Sequence, residues 1–480
     1  MENQPKTKRK ATVGEALIPV LFLISVLAYS LIKLDADPHI PLILGALAAA
    51  LVGVFKLGFT WKDLEEGALD TIRMAMQAIL ILMVVGTLIG TWILSGTVPS
   101  MIYWGLEIIS PAVFLPATCI ICAIVSLATG SSWTTAGTVG IAIIGIGQGL
   151  GMPLPIVAGA IISGAYFGDK MSPLSDTTNL APAMAGTTLF EHVRHMIYTT
   201  GPSLLIALVL YTIIGMKYSG QELDLTQIEL IRTTLEGSFK TLSPVLLIPP
   251  VVVILMVVFK VPAIPGLIGG ALLGDIFAGV FQGSDLASII DASHYGYVSE
   301  TGVQAVDDLL TRGGLDSMMW TVSLILCALT LGGILEKTGM LEALAGALLK
   351  VAKGRFGLVF ATIVSCIGVN LATGEQYLAI VLPGRMYKNE YRKLGLHPKN
   401  LSRALEDSAT LTSSLIPWNT CGAYMFATLG VSPIAYAPFA FLNLINPLMS
   451  LFYGATGITM EKLPPEEMKI VEQEIKEGLI

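Results

Sequence analysis

Charge is what this chain has least of. Asp, Glu, Lys and Arg make up 13% of its 480 residues, and the mean hydropathy is +0.74. A soluble chain carries about 25% charged residues, so a water-soluble globule is excluded. Cysteine is scarce too: the five, at 119, 122, 327, 366 and 421, all lie in apolar segments, which excludes a disulfide framework. Cys119 and Cys122 have CxxC spacing without a second ligand pair for zinc, and read as small buried hydrophobes. The ATP-binding loop G-x-x-x-x-G-K-S/T is missing, which excludes direct ATP drive. HExxH and GxGD are missing as well, since Asp169 and Asp275 follow Phe-Gly and Leu-Gly. No enzyme activity, catalytic residue, cofactor, structural metal or nucleic-acid partner is expected.

What the chain has in excess is apolar runs of 17 to 22 residues, recurring from end to end. Runs of that length span a bilayer as helices, so an all-α polytopic membrane protein is expected. Full helices are predicted at about 15–33, 40–56, 74–94, 196–216, 242–260, 263–281, 317–335 and 434–454. Between them lie two interrupted apolar regions, 111–148 and 356–387, and two broken crossings, 154–190 and 403–431. Lys6, Lys8, Arg9 and Lys10 precede the first run with no small-residue cleavage site after it, which reads as a retained first helix.

The chain repeats itself. Pro116–Gly130 resembles Val359–Gly374; both end in Leu-Ala-Thr-Gly, 244 residues apart. Gly67-Ala-Leu-Asp70 matches Gly313-Gly-Leu-Asp316, and the break Asp169–Asn179 has a counterpart in Asp407–Asn419, with the two Asp 238 apart. The halves are 1–216 and 241–455, joined by an extracytoplasmic linker, 217–240, and followed by a cytoplasmic tail, 456–480.

Loop charge gives their orientation. Segments 95–111 and 148–154, flanking the first Leu-Ala-Thr-Gly, have no Lys or Arg, whereas 337–355 and 385–403, flanking the second, have ten. The positive-inside rule puts the first pair outside and the second in the cytoplasm. Each Leu-Ala-Thr-Gly is then the tip of a re-entrant hairpin, and the halves are inverted-topology repeats with broken transmembrane helices. Ten crossings, two hairpins and both termini inside are expected. The linker 217–240 is an exception, with three basic residues against four acids. Inverted repeats meeting at broken helices near the midplane are a build of secondary transporters.

The centre of the chain is Gly168-Asp-Lys-Met-Ser-Pro-Leu-Ser-Asp-Thr-Thr-Asn-Leu-Ala-Pro182, set between apolar runs too short to cross alone. Irregular backbone at membrane depth survives only where protein or a watery cavity satisfies it. Asp169 and Asp176 are candidates to bind a cation or a proton, because burial makes the two compete for a carboxylate. The competing reading is a structural acid, with Lys170 as partner of Asp169. Ser172, Ser175, Thr177, Thr178 and Asn179 offer neutral oxygens, which suit hard cations; they can equally serve to satisfy the broken backbone. At the tips the candidates are Thr129, Ser131, Ser132, Thr373 and Glu375, the last with an N-cap role as its alternative. The second break offers Asp407, Ser413, Ser414 and Asn419, with Thr410, Thr412 and Thr420, and Asp407 is placed towards the cytoplasmic mouth. Asp275 is a relay or a paired acid. His192 and His195 read as solvated loop residues, and Trp133 as packing.

These motifs carry a resemblance. Gly168–Ala181, with Ala-Thr-Gly-Ser-Ser-Trp-Thr-Thr-Ala-Gly-Thr-Val-Gly at 128–140, resembles the NhaC-type Na⁺/H⁺ antiporters of the ion-transporter superfamily over essentially the whole chain. The resemblance implies exchange of Na⁺ for H⁺ across the bacterial inner membrane, and commonly homodimers with elevator-like movement. The family includes exchangers that couple these ions to malate and lactate, so a small carboxylate is the alternative cargo. A carboxylate usually recruits an Arg, and none lies within a tip or break, which favours the ion-only reading.

The topology makes a direct prediction. An impermeant reagent should label residues 148–154 from outside and residues 388–400 only from inside. Labelling of both from one face removes the inverted arrangement.

Overall fold

The computed structural model describes residues 8–34, 36–108, 110–219, 225–477 and 479. Lys6 and residues 220–224 of the linker lie outside them. Among the described residues the chain is helical, with two isolated β-bridges and no strand. Seven helices are long and apolar enough to cross a membrane, and the bent pair Pro433–Phe439 and Phe441–Thr456, at 60°, makes an eighth if counted as one span. This is a multi-pass membrane protein.

Helix ends follow local chemistry more than hydropathy. The third helix begins at Trp61 rather than near residue 74, because Thr60 and Asp63 form a capping box that starts it earlier. The same device, Thr12 with Glu15, opens the first helix, Val13–Lys33. Such boxes satisfy two N–H groups that the helix itself leaves free. The helix expected at 196–216 likewise runs longer, Leu189–Ser219.

Small residues set how closely helices approach, since lipid supplies no hydrophobic drive for helix association. Leu154–Met171 lies along Pro111–Thr129 with Gly164 and Gly168 at the contact. A Cβ on Gly164 would stand 2.2 Å from the Cys119 carbonyl oxygen, and one on Gly168 2.3 Å from the Leu127 nitrogen. Pro111–Thr129 then stops at Gly130 and Gly354–Thr373 stops at Gly374, with φ 69° and 65°, the left-handed region where glycine carries no Cβ penalty.

Contacts at these stops recur at one offset, 244 residues. Ser126 Oγ donates to the Ala165 carbonyl (2.5 Å) as Asn370 Nδ2 donates to that of Ala409 (2.7 Å). Ser175 and Asn419 are the N-caps of the half-helices Asp176–Ala185 and Thr420–Leu429, and these end at Gly186 and Gly430, both with positive φ. The same register corrects the pairing of Asp169 with Asp407. Ser132 donates to Asp169, and the matching contact joins Gln376 to Ser413, so Ser413 stands in the place of Asp169.

Gly164→Ala should therefore lower the melting temperature in detergent, by the about 1–3 kcal/mol typical of overpacking. Gly14→Ala, with nothing within 4 Å of the added carbon, should leave it unchanged or slightly raised.

Candidate ion-binding site

Both tips, the first break and the half-helix that follows the second break meet around one cavity of about 690 Å³. The first tip brings Thr129, Ser131 and Ser132; the first break brings Asp169, Ser175, Asp176 and Thr177. The second tip brings Glu375, Gln376 and Tyr377, and the second half-helix brings Thr420 and Cys421. Gln77 and Lys260, from other helices, complete the wall.

Three carboxylates face this space, each held differently. Asp169 ends the first half of the broken helix and is 8% exposed. Its Oδ2 accepts from the Ser132 hydroxyl (2.6 Å) and the Ser132 N–H (3.3 Å), so the first tip donates to it twice. Glu375 is 2% exposed and caps its own helix, with Oε1 accepting from the Tyr377 N–H (3.1 Å). Asp176 is exposed at the first turn of its half-helix, where the helix dipole favours an acid. The Tyr377 hydroxyl donates to it (3.3 Å), linking the first break to the second tip.

The remaining expected site residues lie off the cavity wall, and most serve the backbone. Thr178 Oγ1 donates to the carbonyls of Asp169 (3.1 Å) and Lys170 (3.0 Å), closing the broken helix end. Asn179 Nδ2 donates to the carbonyls of Pro173 and Ser175. Ser172 Oγ accepts from the Leu174 N–H, and Thr373 Oγ1 from that of Glu375. Asn419 Oδ1 accepts from the Cys421 N–H as an N-cap. Ser413 donates to Gln376 Oε1 (2.7 Å), and Ser414 accepts from Asn443 Nδ2 (3.1 Å). Ser131, although on the wall, caps the helix after its tip by accepting from the Thr134 N–H (3.1 Å).

Two expectations are overturned. Lys170 pairs with Asp407 rather than with Asp169, and both side chains are fully buried. Asp407 Oδ1 also accepts from Thr199 Oγ1 (3.0 Å) and Asn446 Nδ2 (2.9 Å). A buried ion pair persists where further hydrogen bonds satisfy its charges, and this one joins the two broken helices. His192 and His195 are buried, not solvated: His192 Nδ1 lies 2.8 Å from Ser402 Oγ and His195 Nε2 3.2 Å from Asn400 Oδ1. The long helix that includes them packs these rings against Pro398–Leu405. Trp133 does pack, with its indole stacked on Tyr424 at 4.0 Å, and it also lines the cavity.

Gln77, Lys260, Gln376, Tyr377 and Glu406 escaped the sequence reading. Tyr377 and Gln376 directly follow Glu375, so the tip motif extended by two residues finds them. Glu406 adjoins Asp407, and an acid pair in an apolar stretch was its available signal. Gln77 and Lys260 have no local signal.

The arrangement suits a cation. The tip donors that could receive an anion are already taken by Asp169, Ser131, Glu375 and Asn419, and three carboxylates outnumber the one basic wall residue, Lys260. An all-helical membrane protein with an acid-lined central cavity is a membrane carrier in outline.

Comparison with known proteins narrows that class. The model of the Na⁺/H⁺ antiporter family matches residues 164–458. The Na⁺/H⁺ antiporter NhaC of Alkalihalophilus pseudofirmus is 44% identical over 95% of this chain and 98% of its own length. The malate-2H⁺/Na⁺-lactate antiporter of Bacillus subtilis is 41% identical over 94% and 96%, respectively. The arginine/ornithine antiporter ArcD of Halobacterium salinarum is 36% identical over 96% and 95%. The chain belongs to the Na⁺/H⁺ antiporter family.

The buried pair yields a stability prediction. Asp407→Ala should cost about 3–5 kcal/mol, because Lys170 is left charged and unpaired. Replacing both, Lys170→Met with Asp407→Leu, should recover much of the loss in thermal unfolding. A single variant as stable as the parent would show the pair to be dispensable.

Proposed function

We propose that this protein is a secondary transporter exchanging Na⁺ for H⁺, with the ion held at the cavity by Asp169 and Glu375 and with Asp176 at its rim. The observation that carries the reading is the convergence of both tips, the first break and the second half-helix on one acid-lined cavity whose anion-receiving donors are occupied. Family membership and the NhaC relative support the choice of ions.

The inverted arrangement of the halves belongs to the same proposal. It is supported by the contacts recurring at an offset of 244 residues and by the ten basic residues beside the second tip against none beside the first. Re-entrant tips, both termini in the cytoplasm and residence in the bacterial inner membrane follow from it. Lys260 sits between two spans on the side that this topology makes cytoplasmic, so the cavity is open inward.

A second reading rests on size. Bulk water occupies about 30 Å³ per molecule, and a cavity of about 690 Å³ has room for a small carboxylate as well as a hydrated ion. Lys260 is the wall residue that would meet it, and the malate/lactate relative supports this alternative.

Transport in proteoliposomes separates the two. An imposed Na⁺ gradient should move protons without malate or lactate present. Asp169→Asn should weaken apparent Na⁺ affinity at least tenfold, about 1.4 kcal/mol, with the fold retained; Asp176→Asn should do less, because Asp176 is exposed. Proton movement that requires malate or lactate selects the second reading, and no Na⁺ coupling in any condition overturns both.

A further inference from the structure

Glu406 lies behind the cavity wall rather than on it. Its side chain is fully buried, and neither carboxylate oxygen has a well-formed hydrogen bond among the described residues, though the Thr410 and Thr177 hydroxyls lie close enough to interact with it. It opens the π-helical turn Glu406–Thr410, an irregularity that proteins keep mostly at functional positions.

The groups around it are accounted for elsewhere. Lys170, Asp169, Thr177 and Thr410 face it from the two halves of the first broken helix and from its own turn. Lys170 is committed to Asp407, whose same oxygen also takes Thr199 and Asn446. Arg403 donates to Thr459 Oγ1 (3.0 Å) and lies over the Tyr453 ring. His192, from the neighbouring long helix, contacts Ser402. An ionised carboxylate without water or a donor is costly in such a place, whereas a protonated one is neutral.

We propose that Glu406 carries the proton of the exchange, at a position separate from the carboxylates that hold the metal ion. This rests on the Na⁺/H⁺ reading above. The route is short: the Ser175 and Thr177 hydroxyls lie 3.2 Å apart, both line the cavity, and Thr177 faces Glu406. Asp169 repels a charge on Glu406 while Lys170 attracts it, and with the cavity empty both act together. When Na⁺ binds beside Asp169, that repulsion is cancelled. The Glu406 O–H bond then breaks, its proton leaves through the two hydroxyls to cavity water, and the carboxylate left behind shares the field of the Lys170 ammonium with Asp407. Binding of each ion thus opposes the other without a shared ligand, and the coupling is reciprocal.

Calorimetry of the full-length protein with NaCl, in buffers of different ionisation enthalpy, counts protons released per Na⁺ bound. Glu406→Gln, fixed in the neutral state, should bind Na⁺ about tenfold more weakly than the parent, about 1.4 kcal/mol, release close to one proton fewer and lose Na⁺-driven proton movement in proteoliposomes. Release equal to the parent's overturns the proposal. If Glu406→Gln does not fold, Glu406→Asp keeps an acid but withdraws it by one methylene. The pH midpoint of proton release should then shift, and an unchanged midpoint overturns the proposal. No proton release in the parent itself would mark failure of the exchange reading rather than of this assignment.

Discussion

A helix interrupted inside apolar surroundings must find partners for the backbone groups it frees, and this demand shapes the centre of the protein. Every unsatisfied N–H or C=O there costs as much as a lost hydrogen bond. Thr178 and Asn179 close the first break, Asn419 opens the half-helix after the second, and Ser131 and Glu375 start the helices after the tips. Most of the hydroxyl and amide groups are consumed in this way. Three carboxylates remain facing the cavity among hydroxyls and amides that the tips and the first break have already positioned.

That demand also explains which parts of the site the sequence displays. The stops at Gly130 and Gly374 and the irregular stretch 172–175 are local events, written in glycine, proline and short polar residues. Hence the tips, Asp169 and Glu375 could be picked out from composition alone. The same logic could not say which hydroxyls face an ion and which face a carbonyl, since both uses need the same side chain. Thr178 and Ser175 are three residues apart and differ only in how the chain folds around them. Partners brought from the other half left no trace in sequence: Lys170 and Asp407 are separated by 237 positions, and nothing near either residue announces the other. The buried histidines were misread because their loop placement depended on where a helix begins, and that helix starts at Leu189, several residues before the hydropathic run.

The relatives show how little the scaffold commits to one cargo. Proteins named for Na⁺ and H⁺, for malate and lactate, and for arginine and ornithine all align with this chain over nearly its full length. A shared fold carrying such different names is what is expected where function is grafted onto a common scaffold. In this chain the side chains that reach the cavity favour positive charge. The three acids lie beside helix N-termini, whose partial positive charge lessens the cost of holding them close together.

One contact ties these pieces together. Tyr424, in the half-helix Thr420–Leu429, stacks on Trp133 and donates its hydroxyl to the Trp133 carbonyl (2.8 Å). Ser132 binds the first tip to the first break, Tyr377 joins that break to the second tip, and the Thr420 N–H reaches back to Gly374 of the second tip (2.9 Å). The four segments thus form a closed ring, each fastened to the next. A ring of this kind cannot open by parting its segments without breaking several bonds at once. Displacement of the four segments as one body is the change that leaves all of these bonds intact.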